Sequence, residues 1–203
     1  GGTTSIELNQ GVQFTGPGVS RINGANVGLF GQAGSVSSGA TVELAGGTVS
    51  GPGLVSVAGT LNLTGGTLGG GWNIQPSGHF NVNGDGGKNL NSDAVINHGG
   101  TGVWSGAGNI NANSSSVFAN NGTWEIQSSA SYVAPQGATT PLPVFTNTGT
   151  VRRTTDTQAT ILDANIVFNN NGTVDVESGK FAFGSGVSVG GVFNAAANAV
   201  LEM

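Results

Sequence analysis

The chain of 203 residues contains no cysteine. A disulfide framework, a thiolate metal site and a thiol nucleophile are therefore excluded. Charge is almost as scarce, at 7% of residues against about a quarter in an ordinary globular protein. Five Lys and Arg against ten Asp and Glu, a net charge of −5, do not furnish the basic patch that nucleic acid or an anionic membrane surface requires. No apolar run reaches the roughly 20 residues that cross a bilayer, so no membrane insertion is expected of this segment. The opening GGTTSIEL has neither the basic segment nor the apolar core of a signal peptide. An initiator Met is also missing, and the sequence stops at Met203 just after a strand-like AVLEM. Residues 1–203 thus read as one domain, a segment of a longer chain without a capping element at either end.

What is present is glycine, 38 residues of it, accompanied by Asn, Ser, Thr, Val and Ala. Gly does not recur at every third position, which excludes collagen. Pro is down to six residues, whereas apolar alternation is plentiful, so the chain is expected to fold. One string returns three times: VFANNGTWEI from Val117, VFTNTGTVRR from Val144 and VFNNNGTVDV from Val167. Each copy places Phe four residues, and Asn two residues, before a Gly that Thr follows. With that Gly as marker, the repeat extends through Gly39, Gly59, Gly78, Gly102, Gly122, Gly149, Gly172 and Gly191, in steps of 19 to 27 residues. Between markers lie runs of three to five residues with period two, separated by GG, SGPG, NG and SG. These are strands joined by turns that favour positive φ.

A strand that returns in phase every twenty-odd residues describes a parallel β-helix better than an antiparallel sandwich. The expected fold is all-β, a single-stranded parallel β-helix (β-solenoid) of about eight to nine rungs, with almost no helix. Rungs about 4.8 Å apart make a rod on the order of 40 Å long. Residues 1–38 are expected to form irregular N-terminal rungs, and the Pro-containing stretch 128–143 a protruding loop. Phe118, Phe145 and Phe168 are expected to stack inside the coil, with Trp104, Trp124, Val151 and Val174 as a second inward stack. Asn120, Asn147 and Asn170 are expected to form an amide ladder at one corner, which satisfies buried polar groups and fixes register.

Candidate chemistry is thin. Glycoside hydrolysis needs a facing carboxylate pair, whereas the acids here are scattered. Glu125, Arg152 and Asp175 each lie three residues past a marker and are read as an exposed charge ladder. Arg152, Arg153, Asp156 and Asp163 form the best alternative cluster, the basis for a second reading as a polysaccharide lyase or glycoside hydrolase. The stretch 81–93, NVNGDGGKNLNSD, partly imitates a calcium loop, but its first position is Asn and its twelfth is Ser, so a widened turn is expected. His79 and His98 are read as surface residues, since zinc needs three or four converging ligands. Thr60, Thr123, Thr150 and Thr173 form one Thr file, where an ice-binding solenoid would carry two. No metal or cofactor is expected.

The runs SGPGLVSVAGTLNLTGGTL and VWSGAGNI, together with the F-x-N-x-G-T repeat and VESGKFAFG, resemble the Gly-rich repeats of large bacterial secreted proteins. These are the autotransporter passenger regions and the filamentous-haemagglutinin-like adhesins, and the resemblance covers residues 39–203. It implies a right-handed parallel β-helix on the bacterial cell surface, used as a stalk, adhesin or matrix fibre. The partners it implies are further copies of itself, end to end or laterally, or cell-surface and glycan ligands.

Overall fold

A computed structural model describes residues 5–31, 34–135, 140–155 and 158–203. The described residues form 27 short strands and no helix. They make three parallel sheets, of ten, eight and nine strands, stacked as a β-solenoid of about nine turns. The first sheet runs from Ser5–Leu8 to Val200–Glu202, the second from Val12–Phe14 to Val167–Asn170, and the third from Val19–Ile22 to Val192–Ala195. Each of the first eight rungs contributes one strand to each sheet in turn, whereas the rung of Lys180–Phe183 and Val192–Ala195 reaches the second sheet only through a bridge from Ser188 to Asn170. Ile110–Ala112, Val117–Asn120 and Thr123–Ile126 are one such set.

Alternation along each strand is what closes the coil. In Val117–Asn120, Thr123–Ile126, Val144–Asn147 and Val167–Asn170 every second residue is buried and its neighbours are half-buried. The inward residues pack into one continuous apolar core along the axis. Within it Phe118, Phe145 and Phe168 occupy successive rungs, with ring centroids 4.9 and 5.1 Å apart and edge-to-face. That is the arrangement the aromatic quadrupole favours.

The corner between the second and third sheets is set by close approach. Asn121 and Gly122 both donate backbone N–H to the carbonyl of His98. Thr148 and Gly149 do the same to Asn120, as do Asn171 and Gly172 to Asn147. A Cβ on Gly122, Gly149 or Gly172 would collide with the carbonyl oxygen of the glycine one rung earlier. These three glycines are absent from the positive-φ set. They are needed for lack of space, not for the turn conformation expected of them.

Three expectations about organisation are corrected. Within 1–38, Ser5–Leu8, Val12–Phe14 and Val19–Ile22 make one regular rung. Asn26–Leu29 and Gly34–Val36 begin the next, with Ile6 on Val27, Phe14 on Val36 and Ile22 on Leu44. Their alternation is faint because Ser20 takes an inward register position, opposite Val42. In 128–143, Ser128, Ala130, Tyr132 and Ala134 alternate inward, and Tyr132–Val133 joins the first sheet, so this part of the stretch continues the rung. Residues 136–139 lie outside the described set. The third correction concerns the markers: Thr41 pairs with Thr60 and Thr101 with Thr123, so Ala40 and Gly100 stand at the corners assigned to Gly39 and Gly102.

Candidate functional site

The most organised polar group in the molecule is the ladder at the end of the second sheet. Asn120 donates Nδ2 to Asn147 Oδ1 at 2.8 Å and to Thr150 O at 3.0 Å. Asn147 repeats both bonds, to Asn170 Oδ1 at 2.7 Å and Thr173 O at 3.0 Å. Asn170 donates to Val192 O at 3.3 Å and accepts from Gly172 N–H. All three amides are at most 1% exposed. Asn120 and Asn147 therefore spend one N–H along the ladder and one on the third sheet, and Asn170 ends the ladder with its bond to Val192, which ties the second sheet to the third.

His98 stands at the foot of this ladder. It pairs with Asn120 in register, and its Nδ1 lies 2.8 Å from Asn120 Oδ1. Asn120 Nδ2 already faces the carbonyl of Thr150, so its oxygen must face the imidazole, and Nδ1 carries the hydrogen. Nε2 has no hydrogen-bond partner. Phe80, Phe118 and Trp124 surround the ring at centroid distances of 6.5, 5.9 and 5.7 Å. Burial lowers the pKa of His98 from the ordinary value, against the opposing bonds to Asn120 and the Thr101 backbone. The expected surface position is thus wrong for His98, which is fully buried, though right for the exposed His79. The available signal was INHGGT, which aligns with FANNGT once Gly100 is taken as the corner.

The same two-residue shift separates the tryptophans. Trp124, Val151 and Val174 share one inward file, whose earlier members are Gly102 and Phe80. Trp104 is in the neighbouring file, beside Val82, Ile126, Arg153 and Val176. Gly102 leaves the space that Trp124 fills, since a Cβ there would lie 2.6 Å from the indole ring. Trp104 is therefore a core residue of another stack.

Two cations are also interior. Arg153, 1% exposed, donates to Ser128 O at 2.6 Å, Thr160 Oγ1 at 2.8 Å and Gln158 O at 2.6 Å. It ties together segments of adjacent rungs and does not face the surface beside Arg152. Lys88 is fully buried and donates Nζ to the carbonyl of Gly84. Burial lowers its pKa and Asp85 opposes that shift. The stretch 81–93 is thus a turn with a buried ammonium of its own bonded to the Gly84 carbonyl. Asn81 is occupied in an outward amide contact with Asn62, at 3.1 Å. Asp85 is occupied in accepting Ala107 N–H.

The outer faces carry the remaining candidates. Glu125, Arg152 and Asp175 do stack in register on the third sheet, half-buried. Arg152 makes its ion pair with Glu177, two residues past Asp175, and this pair holds its pKa up. Gln127 at 2.8 Å and Thr154 at 2.6 Å bond Glu125, whose pKa they lower, with a smaller contribution from Arg152. Asp163 accepts from the N–H and side chain of Asn165 within a local turn, and Asp156 lies outside the described residues. The Thr file is longer than the repeat suggested, with Thr41 and Thr101 added and His79 interrupting it. The file beside it carries Glu43, Glu125, Arg152 and Asp175. Among the described residues no three His, Asp or Glu converge as metal ligands.

The second sheet is different. None of its eight strands contains Asp, Glu, Lys or Arg. Its outward residues form two files, Leu54, Val95, Val117, Val144 and Val167 beside Ser56, Asn73, Asn97, Ala119, Thr146 and Asn169. Comparison of the chain with protein-family models, curated proteins and solved structures returns no match.

Proposed function

We propose that the solenoid is an extracellular structural and adhesive rod, part of a bacterial cell-surface adhesin, stalk or matrix fibre. It acts by presenting its faces to glycans or by joining copies of itself, side by side or end to end. The observation that carries this reading is the parallel stacking of three sheets, of ten, eight and nine strands, into about nine turns. A stack with a ladder through it resists bending and is extended by adding rungs, which suits a spacer. The uncharged second sheet supports lateral contact, because long flat parallel faces without charge are not protected against association. The repeat resemblance to secreted adhesins supports the location outside the cell.

Electron microscopy and sedimentation of the purified chain, with binding to cells and glycan arrays, test the reading. Filaments, laterally paired rods or glycan binding are expected. A dispersed monomer that binds neither glycans, cells nor itself would sink it. We read the chain as non-enzymatic, so a screen of acidic and neutral polysaccharides should show no turnover. Turnover sensitive to Arg152→Ala or Asp163→Ala would establish the enzymatic reading instead.

A further inference from the structure

We propose that His98 is an acid-sensitive break point in the rod: a second proton on the imidazole opens the stack at the strand Val95–His98. Three observations carry it. The ring is fully buried, and its hydrogen-bonding role is already assigned, with Nδ1–H given to Asn120. The other nitrogen, Nε2, is buried and makes no hydrogen bond, and Phe80, Phe118 and Trp124 pack around the ring. A proton there would make a buried charge with no counter-charge, among the most costly groups a core can contain.

No charged group nearby compensates that charge, and burial outweighs what the Asn120 side chain and the Thr101 backbone contribute toward holding the proton. The strands packed on Val95–His98 are Gly71–Ile74 on one side and Val117–Asn120 on the other, with His79–Val82 and Thr123–Ile126 across the interior. None of them turns an acid or base inward: His79 and Glu125 both face outward. In the same rung, the Lys88 ammonium is directed to the carbonyl of Gly84. The direction of the effect follows from burial. His98 binds its proton less tightly in the folded rung than in the unfolded chain, where the ordinary value is 6.5. The stability of the neutral form is complete above that value and is lost as pH falls through it. Rungs contact only their neighbours, so the loss is local.

The chain has two histidines, and ordinary carboxylates titrate below pH 5, so the interval from about 7.5 to 5 isolates the imidazoles. Hydrogen exchange, corrected for the intrinsic pH dependence, should show lost protection at pH 5 in Gly71–Ile74, Val95–His98 and Val117–Asn120. Thr41–Leu44 should keep its protection. H98N, which continues the amide ladder by one rung, should abolish the loss, and H79N should leave it intact. If H98N does not fold, H98Q takes its place, and imidazole 15N shifts of the unaltered protein give an independent readout. Unchanged protection at pH 5, equal loss in H98N or H98Q, or an imidazolium signal from an intact stack would each overturn the proposal.

Discussion

Asn147 donates to two acceptors and accepts from Asn120, all inside the coil. Truncating it to Ala removes those bonds and also leaves Asn120 and Asn170 one partner short. The cost of an orphaned buried polar group, about 1–3 kcal/mol, applies on both sides. We expect Asn147→Ala to lower stability by roughly 2–4 kcal/mol in denaturant melts, with an unchanged m value. Adding Asn170→Ala should cost less than the sum of the two, because the ladder is then already broken. Gly102→Ala should destabilise by about 1–3 kcal/mol through contact with Trp124. Trp124→Leu should relieve that clash, so the double mutant should show a coupling that a backbone effect would not.

At the scale of single elements, the corners and the 84–88 turn make opposite use of glycine and lysine. Gly122, Gly149 and Gly172 let each corner descend onto the carbonyl below. Ala at Gly149 should therefore cost about as much as a core overpacking change, 1–3 kcal/mol, although the residue is at the surface of the coil. A thermal melt of that single variant checks it. The turn containing Lys88 is held by an internal cation. Millimolar calcium should leave the melting temperature of the unaltered protein where it was, since the turn already contains the buried Lys88 ammonium and lacks the carboxylates of a calcium loop. An upward shift with calcium would show that the ammonium can be displaced. The repeat from Val117 to Val176 was legible because three copies repeat the same spacing around Phe, Asn and Gly. The rungs before it were not. There the ladder position passes to His98, Ile74 and Val57, and Gly99, Gly100 and Gly102 offered more than one corner.

Across the whole molecule, stability is distributed along the axis and owes little to charge. Among the described residues the ion pairs Arg21–Glu43, Arg152–Glu177 and Lys180–Glu202 each have at least one substantially exposed partner. Such pairs contribute at most about 1 kcal/mol and are screened by salt. Raising sodium chloride from low to molar concentration should therefore shift the melting temperature by only a few degrees. Val42 and Phe181 are separated by most of the stack, so V42A and F181A should add within about 0.5 kcal/mol. F118A and F145A should not add, because their rings touch.

By itself the sequence determined the architecture: alternation of period two fixes strands, and a phase that returns every rung fixes their parallel stacking. It also determined which residues form the Phe and Asn files wherever the motif recurs unchanged. Only the tertiary structure decided which way the exceptional residues face. A single His, Lys, Arg or Gly carries no period, and a one- or two-residue choice of corner moves it between files or between inside and outside. Pairing settles that choice, because each strand must match the hydrogen bonds of the rung beneath it. Through that constraint His98 and Arg153 are buried and Trp104 is separated from Trp124.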